Sequence, residues 1–418
     1  MKKLRSTIGV LACAFLYSSM YLLPYIKYIF YDAVVAATGF TNTQIGFTLS
    51  VYIVASIICT VPSGWLADKF SPKKLLVVSG VAHTVFSLMA LLFIRNYVMT
   101  LVCFFLMGIS SVLGFWSPVF KAVSMVGTDE EQGRYYGLFE GFNGIGSMVF
   151  NFGALWVFGL VTGGSVAALK AVYIFYIASS LVSTLLVAFL YKAELDAVSE
   201  EGTEPKKKAT TKEIFAVLKM PKVWMFSLMV MGVYGFYCGS SYLTPYFSTV
   251  LGVSVVFSGG LATLKNYGTR LVGAPVAGNI CDKIGRLKFL VIASVVAIAL
   301  MIVFMMMPAS NSALIPIMIL MFALALVNVS MKGVQFSALD EIGVDQSVNG
   351  MAIAIASLIG FNLPDVALHP IFGAVLDANE PIVAYKIIFA CLLGLLILAL
   401  VMSSLLFFTR KKEAKPVV

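Results

Sequence analysis

The stretch "GWLADKFSPKK" at residues 64–74 returns in altered form as "GNICDKIGRLK" at residues 278–288. Both copies close one long apolar run and open the next, and they share Gly-x-x-x-Asp-Lys, so the chain reads as one plan used twice. A second repeat supports this. "PVFKAVSMVGTDEE" and "VSMKGVQFSALDEI" align without gaps on Lys121 and Lys332, Val123 and Val334, Asp129 and Asp340, and Glu130 and Glu341. Each places a lysine inside an apolar run, eight residues before an Asp-Glu pair.

The bulk composition says what kind of plan is repeated. Hydrophobic residues make up 60 % of the chain and charged residues 12 %, and mean hydropathy is +0.96. A soluble protein is about 45–50 % apolar, so this is an integral membrane protein. The net charge of +9 sits in short clusters between apolar runs, which makes it a topology signal and excludes a nucleic-acid platform. The six cysteines form no CxxC pair, so neither a disulfide framework nor a metal site is expected, and no cofactor. The opening "MKKLRSTIGVLACAFLYSSM" lacks a small-x-small cleavage site before Pro24 and is taken as a first spanning helix.

Apolar runs near the length needed to cross about 30 Å of hydrocarbon predict twelve transmembrane helices. The first six fall near 6–31, 43–67, 73–94, 98–125, 135–160 and 168–192. The second six fall near 222–250, 256–280, 287–308, 312–337, 347–376 and 382–409. This is an all-α membrane fold of two pseudo-symmetric six-helix bundles, 1–192 and 222–418, joined by the charge-rich linker 193–221. Placing both termini in the cytoplasm puts "KKLR", "DKFSPKK", the linker lysines, "CDKIGRLK" and "RKKEAK" on that side, which fits the positive-inside rule.

With these residues in view, the chain resembles the major facilitator superfamily, whose loop after the second helix carries Gly-x-x-x-Asp-Arg/Lys-x-Gly-Arg-Arg/Lys. The matching positions are Gly64, Asp68, Lys69 and Lys73, then Gly278, Asp282, Lys283, Gly285, Arg286 and Lys288. The first copy departs from the pattern with Ser71 and Pro72. The resemblance implies that this loop latches one conformational state and that two bundles alternate access to a central site near the bilayer midplane. Gly64 and Gly278 are expected to let helices approach closely, and Asp68 and Asp282 to lie against helix N-termini. "LDEIGVDQSVNGMAIAIASLIGFNLPD" also looks like a subgroup of bacterial permeases with poorly defined substrates, and it carries no substrate across. The location implied is a bacterial cytoplasmic (inner) membrane, and the expected state is a monomer.

In the family the first, fourth, seventh and tenth helices line the cavity, and Lys121 and Lys332 fall on the fourth and tenth. A charge at the centre of a spanning helix costs roughly 2.5–3.5 kcal/mol on insertion scales, so each one asks for a function or a partner. The intramembrane cations are Lys27, Lys121, Lys265, Arg270 and Lys332, against the carboxylates Glu140 and Asp365. That excess of positive charge suits an anion. Lys265 and Arg270 lie roughly 140° apart around a helix and do not share a ligand face. The bland alternatives are snorkelling of Lys121 and Lys332, a permanent Lys121–Glu140 pair, and a gate role for Lys27. Tyr17, Tyr21, Tyr25 and Tyr28 form a stripe that either offers hydroxyls to a solute or packs between helices. Asp365 follows Pro364 and shares a helix face with His369, so Asp365, Glu140 and His369 are the proton-coupling or ion-pair candidates. The glycines of "GLFEGFNGIGSMVFNFG", with Gly137 and Gly141 as a GxxxG, are read as close helix packing.

The expected activity is secondary transport of a small organic anion such as a carboxylate, sugar acid, phosphate or sulfonate, by proton symport or exchange for a counter-anion. The competing transport reading is a proton-antiport exporter of hydrophobic compounds. A non-transporting sensor and a membrane enzyme remain as other classes, although no nucleophile, base or metal cluster marks a catalytic centre.

Overall fold

Proline placement decides where the long helices of this protein are continuous. In the computed structural model, which describes residues 2–126, 131–192, 217, 219–342 and 349–409, the first passage is α1 (Lys2–Met20), a turn, and α2 (Lys27–Thr38). Pro24 has no N–H for the carbonyl of Met20, where α1 stops. The single helix expected over 6–31 is therefore corrected to two pieces, the second ending at Gly39, whose φ of 74° is left-handed.

The same four-residue relation recurs. Helix α5 (Tyr97–Val112) and α6 (Trp116–Ser124) are parted by a turn at Gly114, four residues before Pro118. A 3₁₀ turn, Ser240–Tyr242, separates α9 (Pro221–Gly239) from α10 (Leu243–Thr249) and contains Ser241, four before Pro245. A π segment, Leu358–Asn362, joins α15 (Asn349–Ser357) to α16 (Leu363–Ala378) and contains Gly360, four before Pro364. A second π segment, Leu264–Gly268, between α11 (Val255–Thr263) and α12 (Thr269–Ile284), has no such proline. Pro62 and Pro370 sit in helices that continue through them.

The remaining helices are α3 (Asn42–Lys69), α4 (Pro72–Leu92), α7 (Gln132–Leu160), α8 (Gly164–Leu190), α13 (Arg286–Met306), α14 (Leu314–Val334) and α17 (Pro381–Thr409). Their starts follow capping chemistry. Thr41 and Gln44 form a capping box on α3, and the Ser71 hydroxyl accepts from the Lys74 N–H with Pro72 in the first turn of α4. Among the described residues, ten helical stretches are long and apolar enough to cross a membrane. The passages 2–38 and 255–284 complete the expected twelve in pieces.

The chain resolves into two compact units. The first is 1–202 with 244–268 and 369–377; the second is 203–243, 269–368 and 378–418. The first unit packs α1 on α7 and α8, α3 on α5, and α4 on α8. It also takes in the end of α16, where the Asp377 carboxylate accepts from the Asn42 and Thr43 N–H groups at 2.9 and 2.8 Å, at the start of α3. The second unit packs α9 on α17, α12 on α14, and α13 on α14 and α17.

Of the glycines singled out above, Gly146 and Gly153 are closely approached: a methyl would lie 2.9 Å from the Ser18 hydroxyl oxygen and 2.7 Å from the Phe175 ring. A methyl built on Gly64, Gly278, Gly137 or Gly141 meets no described atom within 4 Å, so the packing role expected of them is corrected. It falls instead to Gly108, where a methyl would lie 2.4 Å from the Tyr52 carbonyl oxygen, and to Gly232, where it would lie 2.6 Å from the Leu395 carbonyl oxygen.

Candidate functional site

In the second unit, "YGFYCG" gives α9 two tyrosines three residues apart, on one face. Tyr234 donates its hydroxyl to Asp365 Oδ2 at 2.8 Å. Tyr237 accepts from Arg270 Nη2 at 2.7 Å. Lys332 Nζ lies 3.7 Å from the Tyr237 ring centroid and 4.9 Å from that of Tyr234. Phe361, in the π segment before Asp365, closes the aromatic wall at 4.4 Å from Tyr234. Four helical passages thus converge on one cluster of two cations, one carboxylate and two phenols. π segments are often found at functional sites, and one of them delivers Phe361 and Asp365 here.

The electrostatics of this cluster are unbalanced. Asp365 is 4 % exposed, and it faces Tyr237 and Lys332 as well as Tyr234. Arg270 is exposed. Lys332 rests on ring faces and donates to no acceptor among the described residues, although an ammonium carries three donors. One turn on, Gln335 is 1 % exposed, and neither polar atom of its amide has a hydrogen-bond partner among the described residues.

Lys121 stands differently. Its Nζ donates to the Ala67 carbonyl at 2.5 Å, one of the last carbonyls of α3, which lack partners within their own helix. Glu140 on α7 is exposed and makes no ion pair among the described residues. The Lys121–Glu140 pair is therefore not formed.

The other first-unit candidates are scattered. Lys27 is 4 % exposed and lines a small cavity with Thr38, Thr48, Thr100 and Tyr173. Lys265 is buried in its π segment, in the first unit, whereas Arg270 belongs to the second. His369, 0 % exposed, meets the Tyr28 hydroxyl through Nε2 at 3.1 Å. The tyrosine stripe forms a column of rings: Tyr17 to Tyr21 at 5.0 Å, Tyr21 to Tyr25 at 6.3 Å, and Tyr25 to Tyr28 at 5.3 Å. Tyr17 also packs on Trp116 and Phe120.

The repeated loop shows its own asymmetry. Asp68 is exposed with no hydrogen bond among the described residues, and Lys69 lies over the Trp65 ring at 4.2 Å. Lys73 lies in the first turn of α4. In the second copy Gly285 turns with φ 88°, and Arg286 N–H and Leu287 N–H donate to the Glu341 carboxylate at 2.5 and 3.1 Å. Lys283 is exposed, the side chain of Asp282 lies outside the described set, and Asp129, Glu130 and most of the linker 193–221 lie outside the described residues.

Sequence reading missed Tyr234, Tyr237, Phe361 and Gln335. The signal for the tyrosines was the three-residue spacing of Tyr25 and Tyr28, repeated on α9.

Among the described residues, an all-helical, twice-repeated plan of long apolar passages has the architecture of a membrane transporter. The chain belongs to the Major Facilitator Superfamily, which matches residues 6–361. It is 28 % identical over 391 residues to the inner membrane protein YqcE of Escherichia coli K12, covering 92 % of this chain and 91 % of that one. It is 26 % identical to the inner membrane protein YihN of the same organism, covering 89 % and 88 %. In fold it matches a bacterial homologue of the human lysosomal transporter Spinster at TM-score 0.76 and 14 % identity, covering 98 % and 99 %. It likewise matches the nucleoside transporter NupG at TM-score 0.75 and 12 % identity, covering 96 % and 99 %.

Proposed function

We propose that this transporter of the superfamily moves a small organic anion by alternating access, through proton symport or anion exchange, across a bacterial inner membrane. The location rests on its two inner-membrane relatives. The observation that carries the substrate class is Lys332, an ammonium held on two phenol rings beside Arg270 with no described acceptor. A carboxylate, sulfonate or phosphate would supply that acceptor, and the Arg270 fork would orient it. Asp365 is the leading proton-coupling candidate because it is a buried carboxylate that accepts from Tyr234 in this cluster, whereas Glu140 is exposed. Lys27, Lys265, Tyr21 and Tyr25 stand as further contacts on the substrate's route.

Proteoliposome uptake of radiolabelled carboxylates, sugar acids, sugar phosphates and sulfonates tests this. Arg270→Gln and Lys332→Gln should each lower uptake at least about ten- to hundredfold, the worth of a charge-assisted hydrogen bond. Unchanged anion uptake in both variants would sink the cationic site.

A second reading has one observation in its favour. The column from Tyr17 to Trp116 and Phe120 would suit an exporter of hydrophobic compounds. Dye efflux that survives both substitutions would select it.

A further inference from the structure

We propose that Asp365 sets the charge of the transported anion: the site takes a monoanion with Asp365 ionised, and a dianion only together with a proton on Asp365. This rests on the anion reading above and goes beyond it by fixing which anions travel with a proton.

Charge imbalance is costly around a carboxylate as buried as Asp365. The described charged groups of the cluster are Arg270, Lys332 and Asp365, for a net charge of +1. A monoanion brings that to zero. A dianion leaves one uncompensated negative charge, which a buried site removes by neutralising a carboxylate. Asp365 is the only described carboxylate in the cluster. The groups facing it or its partners are Tyr234, Tyr237 and Cys238 from α9, Arg270 from α12 and Lys332 from α14, with His369 one turn along its own helix.

The local geometry accommodates both states. Tyr234 donates to Oδ2, which supports the ionised form, while protonation by a hydronium ion from solvent forms one O–H bond at the carboxyl group, breaks one in the donor and releases water. The sign follows by linkage. Dianion binding takes up a proton and strengthens as pH falls; monoanion binding takes up none and is indifferent to pH while Asp365 is ionised.

Probes of fixed charge test this: gluconate and benzenesulfonate as monoanions, glucarate and benzene-1,3-disulfonate as dianions. Thermal stabilisation of the purified full chain by each probe is titrated at about pH 6 and about pH 8, and dianion affinity should fall with rising pH by up to tenfold per unit, the limit for one linked proton. Monoanion affinity should stay level. Asp365→Asn should invert the preference, binding dianions more tightly than monoanions at both pH values. Lys332→Arg, whose charge does not titrate, should keep the wild-type pH response.

If monoanions bind and dianion binding is independent of pH in the wild type, the charge-setting role of Asp365 falls while the anion reading stands. A pH response that persists in Asp365→Asn and vanishes in Lys332→Arg would assign the proton to Lys332 and overturn the proposal. No stabilisation by any probe would remove the anion reading and this inference together.

Discussion

Lys121 and Lys332 occupy equivalent places in the two repeats, yet they are held in opposite ways. Lys121 donates to a main-chain carbonyl at the end of α3, a contact that opposes the negative end of the helix dipole. Lys332 rests on the faces of Tyr234 and Tyr237 near Arg270 and Asp365. One ammonium donates to the protein's own backbone; the other lies on ring faces and donates to no acceptor among the described residues. Pseudo-symmetry conserves where a charge is placed, and the neighbours decide what it does. Here the second repeat supplies the tyrosines whose ring faces hold Lys332 away from the backbone.

The largest predicted effect separates the two lysines directly. Lys332→Gln should abolish uptake while the protein remains folded, whereas Lys121→Gln should retain uptake and lower stability by about 1–2 kcal/mol for the lost charged hydrogen bond. Equal loss of uptake in both, measured beside thermal unfolding of the same preparations, would erase the contrast and restore the paired reading that sequence alone favours.

A smaller effect tests how Arg270 is oriented. Tyr237→Phe keeps the ring under Lys332 and removes only the hydroxyl that accepts from Arg270. Half-saturation for uptake should rise about tenfold, the lower end of the range for a bond to a charged group. An unchanged value would mean that the Tyr237 ring matters and its hydroxyl does not.

Much of this fold was legible in the sequence because membrane passage demands long apolar runs and loop charge asymmetry, and both survive without any knowledge of contacts. The interruptions trace to Pro24, Pro118, Pro245 and Pro364, each four residues after a carbonyl to which it offers no N–H. The hydropathy pattern, however, runs on through Pro24, Pro118 and Pro245, and single helices were expected there. The candidate site was half legible. Lys332, Arg270 and Asp365 stood out as charges in hydrocarbon, but Tyr234 and Tyr237 look like any aromatic residue of a spanning helix until α9, α12, α14 and α16 are brought together. The roles of Gly64, Gly278, Gly137 and Gly141 were misread for a related reason. A small residue permits close approach, and only packing shows whether a neighbour uses it.

The smallest effect returns to the repeated loop, where the two copies begin their next helix by different means. In the first, Ser71 caps α4 at 3.4 Å from the Lys74 nitrogen, with Pro72 preset for the first turn. In the second, Arg286 and Leu287 present N–H groups to the distant Glu341 carboxylate. Ser71→Ala should cost about 0.5–1 kcal/mol, a local cap at long distance. Glu341→Gln should cost more, about 1–2 kcal/mol, because it removes a charge from a helix N-terminus and loosens a tie between α13 and the segment after α14. Thermal unfolding of the two variants ranks them. Should Ser71→Ala prove the costlier, the departure of the first copy from the family pattern would be its stronger latch, and the capping account of why Ser and Pro stand there would need replacing.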